Sequence, residues 1–172
     1  MTVSIITVCY NSESTIEQTI QSVISQRFQN IEYIIVDGGS KDQTLSIIEK
    51  YNSQIDVLIS EKDKGIYDAI NKGIKLATGD VIGFLHSDDI FKSSDILKRV
   101  SDSFNRDIDL IYGDIEYVDK EDSSKVIRKW SSKDYVKGSF KWGWMPPHTS
   151  FFLRKEYYDK LGNYSLLIGS SA

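Results

Sequence analysis

Apolar residues recur along the chain in two rhythms that take turns. Residues 3–8 (VSIITV) form a β-branched apolar run, too short for a helix, and predict a strand buried on both faces. Beyond Tyr10-Asn11-Ser12 the spacing changes. Ile16, Ile20, Val23 and Ile24 fall on one side of a helix, and Ser14 with Glu17 fits a capping box that would satisfy its free N–H groups. The pair of rhythms then repeats. Residues 33–36 predict a second strand ending at Asp37, Gly38-Gly39 a turn, and Ser40 with Gln43 a second capping box before a helix carrying Leu45, Ile48 and Tyr51. A short third strand is expected at 57–59. A third helix runs through Ile66, Ile70, Ile74 and Ala77, with Gly79 as its C-terminal stop. Residues 81–85 (VIGFL) predict a fourth strand running into His86-Ser87-Asp88-Asp89, and a fourth helix is expected over 94–104.

After residue 105 the rhythm breaks. Residues 110–118 and 126–130 predict two strands joined by a turn-like stretch at 119–124. A loop rich in glycine and aromatic residues follows, with Trp142, Trp144 and Pro146-Pro147. The last elements expected are a strand at 150–153 and a short helix at 155–161 stopped by Gly162. Strands alternating with single helices imply parallel βαβ units. The expected fold is therefore α/β: three layers, Rossmann-like, with a mainly parallel central sheet and a small antiparallel extension. A length of 172 residues predicts a single domain.

Composition narrows the function. A net charge of −4 argues against a nucleic-acid footprint, which would need a basic face. One cysteine, Cys9, cannot form an internal disulfide, and with two histidines it argues against structural zinc. No apolar run approaches the roughly 18 residues of a membrane span. The N-terminus has no signal-peptide pattern, so cytoplasmic residence is the expectation. Residues 163–172 (NYSLLIGSSA) hold no closing element, and the chain is expected to end inside a larger protein.

In doubly wound sheets, ligands bind beyond the carboxyl ends of the strands, and the polar residues gather there. Asp88 and Asp89 are adjacent carboxylates after a buried strand. Their repulsion and desolvation would be relieved by hydrogen-bond donors or by Mg²⁺ or Mn²⁺, which take one or two carboxylates together with substrate phosphates. The alternative is a helix or turn cap at Asp89 beside a solvated Asp88. Asp37 can accept hydrogen bonds from a base or ribose, or start an Asx-turn. Tyr10 can stack on a nucleobase or be merely a partly buried tyrosine. Lys64 lies where it could reach a phosphate, just before a helix that places Asp68 and Asn71 about one turn apart. His148, stiffened by two preceding prolines, is a metal ligand, an acceptor contact or a structural histidine. His86 has weaker claims. Trp142 and Trp144 form a platform for a sugar ring or pack under their loop.

The segments VSIITVCYN, IIVDGGSKDQT, DKGIYDAINKGIKLATGDVIGFLHSDD and PPHTSFFLRKEYYDKLGNY stand in the order and spacing of family 2 glycosyltransferases with the GT-A fold. The chain resembles that family over essentially its whole length. The resemblance implies that Thr7 and Tyr10 sit at the nucleobase, with Asp37 hydrogen-bonded to it. Asp88 would face the ribose or sugar. Asp89, last in a DxD-type motif, would hold a Mg²⁺ or Mn²⁺ ion bridging the diphosphate, and His86 takes the motif's first position, where many relatives carry Asp or Asn. Lys64 and Asp68 would fall in a second nucleotide-contacting stretch, and Asp114, Trp144 and His148 on the sugar and acceptor side. Residues 1–104 would then be a nucleotide-binding half and 105–172 the start of an acceptor-side half. The implied reaction is inverting transfer from a nucleotide-sugar, UDP first, with GDP and dTDP open. The implied acceptor is a saccharide or lipid-linked saccharide, with peripheral association at the inner face of the membrane. The resemblance also puts an acidic catalytic base a little beyond Gly162-Asn163-Tyr164. No Asp or Glu follows Asp159, so the base is expected past Ala172, with Asp114 as the nearest substitute. A module that holds nucleotide-sugar without transferring it is the rival reading. A nicotinamide enzyme would need G-x-G-x-x-G after the first strand, and a nucleotidylyltransferase a basic glycine-rich loop; Tyr-Asn-Ser-Glu stands there instead.

Overall fold

The computed structural model describes residues 1–166. The expected alternation is present: β1 (Val3–Cys9), α1 (Ile16–Ile24), β2 (Ile31–Asp37), α2 (Thr44–Glu49), β3 (Val57–Ser60), α3 (Ile66–Leu76), β4 (Val81–Phe84) and α4 (Ile96–Ser103). The rest of the chain adds β5 (Leu110–Ile111), β6 (Ile115–Val118), β7 (Val126–Trp130), β8 (Phe152–Arg154) and α5 (Lys155–Leu161). Six strands form one sheet in the order β3-β2-β1-β4-β8-β5, and β6 and β7 form a separate two-stranded ribbon. Strands β1 to β4 pair in parallel, while β8 runs antiparallel to both β4 and β5.

All seven residues of β1 are buried, Ser4 and Thr7 among them, which explains why its largely apolar run does not alternate with exposed residues. Its side chains alternate between two cores. Val3, Ile5 and Cys9 pack with Ile16, Ile20, Ile48 and Leu97; Ile6 and Val8 pack with Ile70, Ile74, Phe84 and Tyr158. On the second face α3 presses close. A Cβ on Gly73 would stand 2.5 Å from Cγ2 of Ile6, so only glycine fits there.

The chain steps outward from β1 through β2 to β3. It then crosses back through α3 to β4, on the other side of β1. The switch in strand order lies between β1 and β4, and the loops after these two strands frame the cleft where such sheets bind ligands.

Local chemistry departs from the expected pattern at four places. Neither capping box forms: α1 and α2 begin after Thr15 and Gln43, with no side-chain cap on either. Ser40 turns back to Asp37 instead. Gly79 does not stop α3, whose cap is the extended Ala77. It is a point of close approach, since a Cβ there would lie 2.5 Å from Oγ of Ser4. The strand expected over 110–118 is broken at residues 112–114, so that β5 joins the main sheet and β6 the ribbon. The strand expected at 150–153 starts later, because a 3-10 turn covers His148–Ser150.

Candidate functional site at the switch in strand order

Two loops are stitched together on the β1 side of the cleft. Asn11 adopts a left-handed conformation (φ 50°), and its Oδ1 accepts the Lys41 amide at 2.9 Å. The amides of Asn11 and Ser12 donate to Ser40 Oγ (2.8 Å) and Thr44 Oγ1 (2.7 Å). Tyr10 stands at the rim with 58% of its surface exposed, available to stack on a planar ring.

Asp37 ends β2 with no exposed surface. Its carboxylate accepts from the amides of Gly39 (3.1 Å) and Ser40 (3.0 Å) and from the hydroxyls of Ser40 and Ser60, the latter at 2.7 Å. The carboxylate expected to meet a nucleobase is thus occupied in shaping the 38–40 loop. Burial and the charge of Asp37 push the Cys9 thiol up, leaving it inert. Thr7, also expected at the base, is fully buried with its Oγ1 3.2 Å from the Tyr33 hydroxyl.

A different carboxylate reaches this spot. A Cβ on Gly38 would overlap the carboxylate of Asp63 and lie 3.5 Å from Cδ2 of Tyr10. Asp63 therefore stands over the bare backbone of Gly38, beside the exposed tyrosine. The one local signal for it was the Asp63-Lys64-Gly65 turn, in which Asp63 Oδ1 accepts the Gly65 amide at 2.9 Å. Asp68 accepts the amide of Lys64 at 3.1 Å and faces Lys72 at 3.4 Å, and these two interactions hold its carboxyl below the usual range. It secures the turn into α3, while the Lys64 side chain is exposed. Asn71, one turn further on, is buried and faces elsewhere. It exchanges two 2.9 Å hydrogen bonds with the backbone of Tyr164 and so ties residues after α5 to α3.

Across the cleft, the β4 loop folds into a tight turn in which the Asp89 amide donates to the His86 carbonyl at 3.0 Å. Thr19 Oγ1 holds the Asp89 carbonyl at 2.9 Å, and Ser87 Oγ lies 2.9 Å from Ser12 Oγ, joining the two sides. Asp88 is exposed and Asp89 half-buried. Burial first, and the charge of Asp88 second, push the Asp89 carboxyl up to about 6. Two crowded oxygen donors, one of them poorly solvated, fit a hard divalent cation. No group of three or more potential ligands converges among the described residues.

His86 and His148, 62 positions apart in sequence, meet here with their Nε2 atoms 2.8 Å apart and ring centroids 5.0 Å apart. Burial, then His148, pull His86 down to about 4, and burial also lowers His148. Both rings are neutral at pH 7, one Nε2–H donating to the other Nε2. Nδ1 of His86 is buried with no hydrogen-bond partner among the described residues. The pair ties the β4 loop to the segment before β8, a link that sequence spacing could not signal.

On the acceptor side, Asp114 Oδ1 accepts the Ser132 amide at 2.8 Å, and the residue remains exposed. Trp144 is not a free platform. Its ring packs against Tyr112, Tyr135 and Phe140 at 5.4–5.6 Å, and its Nε1 donates to the Ser132 carbonyl at 2.9 Å. Trp142 is the exposed member, at 90%. The base expected beyond Ala172 lies outside the described residues.

An aromatic rim, a glycine-backed carboxylate and an Asp-Asp turn thus meet at the switch between β1 and β4. The chain matches the family model described as glycosyl transferase family 2 over residues 4–162. It belongs to that family. A glycosyltransferase of Mycobacterium tuberculosis is 30% identical over 99% of this chain, which spans 65% of that relative's length. The Escherichia coli enzyme WfgD, a UDP-Glc:alpha-D-GlcNAc-diphosphoundecaprenol beta-1,3-glucosyltransferase, is 37% identical over 67% of this chain and 46% of its own. In fold, the chain resembles residues 1–349 of Staphylococcus aureus TarS solved with UDP (TM-score 0.74, 22% identity, 99% of this chain and 52% of that one). It also resembles the mannosyltransferase PcManGT of Pyrobaculum calidifontis solved with GDP-Man and Mn²⁺ (TM-score 0.73, 18% identity, 98% and 48%). The fold of this family 2 chain is GT-A.

Proposed function

We propose that this chain is the sugar-donor-binding part of an inverting glycosyltransferase that moves a sugar from a UDP-sugar to a hydroxyl of a saccharide or lipid-linked saccharide. The observation that carries this reading is the Asp88-Asp89 turn after β4, in a loop that Ser87 joins to the β1 loop carrying exposed Tyr10 at the switch in strand order. Tyr10 stacks on the base. Asp63, over Gly38, accepts from it. Asp88 faces the ribose or sugar, and Lys64 swings toward phosphate. Asp89, supported by Asp88, holds Mg²⁺ or Mn²⁺, which when bound offsets negative charge on the departing diphosphate. The neutral His86–His148 pair anchors the acceptor-side segment against the turn. The lipid-linked acceptor is suggested by WfgD, whose named acceptor is a diphosphoundecaprenol. The acidic base that takes the acceptor proton is expected past Ala172.

Calorimetric titration of UDP with and without Mn²⁺, on wild type and Asp89→Ala, tests the reading. Metal-dependent binding that the substitution abolishes is the expected result. Failure to bind UDP, GDP or dTDP under any metal condition would overturn it. Ordinary turnover by residues 1–172 would leave donor binding intact and refute the placement of the base.

A further inference from the structure

The loop between β7 and β8 carries a surface that the donor site does not use. Of the sixteen large exposed apolar side chains in the described structure, five lie within residues 135–145: Tyr135, Val136, Phe140, Trp142 and Met145. Trp142 is 90% and Val136 68% exposed. Single exposed apolar residues are ordinary, but such a concentration in one loop marks a binding face.

The fold holds these groups outward. The half-buried Trp144 ring anchors the loop from below, through Tyr112, Tyr135, Phe140 and the Ser132 carbonyl. Above it, a 3-10 turn at Ser139–Trp142 is bracketed by two left-handed glycines, Gly138 (φ 91°) and Gly143 (φ 78°). Lys133, Lys137 and Lys141 interleave with the apolar residues. All three are exposed, and none makes an ion pair among the described residues. Asp134 is the single acid of residues 133–145, so this is a cationic spot on a chain of net charge −4.

We propose that residues 133–145 dock on the surface of an anionic lipid bilayer, with Trp142, Phe140 and Val136 seated at the headgroup boundary and the three lysines against the lipid phosphates. Tryptophan and other amphipathic aromatics favour that boundary, and lysines beside them draw on the negative surface potential. The alternatives fit less well. A two-fold contact with a second copy would set the unpaired lysines of one loop against those of the other. A saccharide platform calls for one free ring face with polar partners, whereas Val136 and Met145 add aliphatic surface with nothing for a sugar to bond. The same loop leads through Pro146-Pro147 to His148 at the donor cleft. A bilayer held there would present a lipid-anchored hydroxyl beside the sugar. That consequence rests on the transferase reading; the docking itself does not.

Sedimentation with vesicles of phosphatidylcholine alone or mixed with phosphatidylglycerol, read together with tryptophan emission, tests the proposal on the 172-residue chain. Wild type should sediment with the anionic vesicles, with blue-shifted emission, and release as salt is raised. Trp142→Ala and the double variant Lys137→Glu/Lys141→Glu should each lower partitioning by about tenfold or more while keeping the wild-type melting curve and UDP affinity. No binding to anionic vesicles, or equal binding by both variants, would overturn it. So would self-association, in place of vesicle binding, that Trp142→Ala abolishes. UDP titration of the same samples separates a failed surface from a failed donor site.

Discussion

Single residues at this site carry opposing burdens. Asp37 is a buried carboxylate whose charge is balanced by hydrogen bonds from Gly39, Ser40 and Ser60. Asp37→Ala would strand those donors and release the 38–40 loop, at a cost of about 2–4 kcal/mol in denaturant unfolding, with weaker UDP binding as a by-product. An unchanged midpoint would show that the carboxylate is not structural. Asp89 and His86 oppose each other in pH dependence. In metal-free protein the Asp89 carboxyl stands at about 6 against an ordinary 3.8, so between these values the fold holds a proton that the unfolded chain has released, and stability falls as pH rises. His86 stands at about 4 against 6.5. In its window the unfolded chain holds the extra proton, and stability rises with pH. The two slopes largely cancel in wild type. Asp89→Asn should therefore gain on wild type by roughly 1–3 kcal/mol as pH rises from about 4 to about 6, and His86→Gln should lose ground over the same range. Unfolding free energies across that window check the signs; two variants that track wild type at every pH would refute both assignments.

At the scale of elements, α3 lies as close to the sheet as its glycine allows. Gly73→Ala improves helix propensity by about 1 kcal/mol, yet its methyl would strike Ile6 in a strand buried on both faces. The clash should win, with a net loss of about 1–3 kcal/mol, and a double-mutant cycle with Ile6→Ala, which removes the Cγ2 that would be struck, should show positive coupling. Additive effects would mean that the helix simply rides up. The same element explains what the sequence could and could not say. Strands β1 and β4 were legible because burial on both faces leaves runs that do not alternate with exposed residues, and α1 and α3 because one buried stripe repeats at helical spacing. Ser14 and Ser40 misled because a cap pattern states only what a side chain can do. The full hydrogen-bond demand of Asp37, invisible locally, claimed Ser40. Asp63 was overlooked because the vacancy it fills belongs to Gly38, 25 positions earlier. His86 and His148 could be matched only by the fold, and the 110–118 run gave no hint that residues 112–114 break it to feed two different sheets.

At the scale of the whole molecule, the question is whether residues 1–104 could stand alone. They hold the four parallel strands and most of both cores. Yet β8 pairs along Val81, Ile82 and Gly83, and Phe152 packs so closely on Gly83 that a Cβ there would overlap its ring. Tyr158 and Tyr164 meet Phe84 edge-on at 6.3 and 6.1 Å, and Asn71 fixes the Tyr164 backbone. Cutting at residue 104 would leave β4 as an apolar edge strand and uncover one side of the second core. Loss of Phe152 and Tyr158 alone forfeits roughly 3–6 kcal/mol of burial, against a total stability of about 5–15 kcal/mol for an ordinary domain. An open edge of this kind also templates aggregation. Residues 1–172 should unfold in one transition, with far-ultraviolet circular dichroism and tryptophan emission coincident. Residues 1–104 should elute as aggregate, without UDP binding. A monomeric 1–104 that binds UDP as tightly as the whole chain would mean that the donor site needs nothing from β8, and that the His86–His148 contact joins two parts able to fold apart.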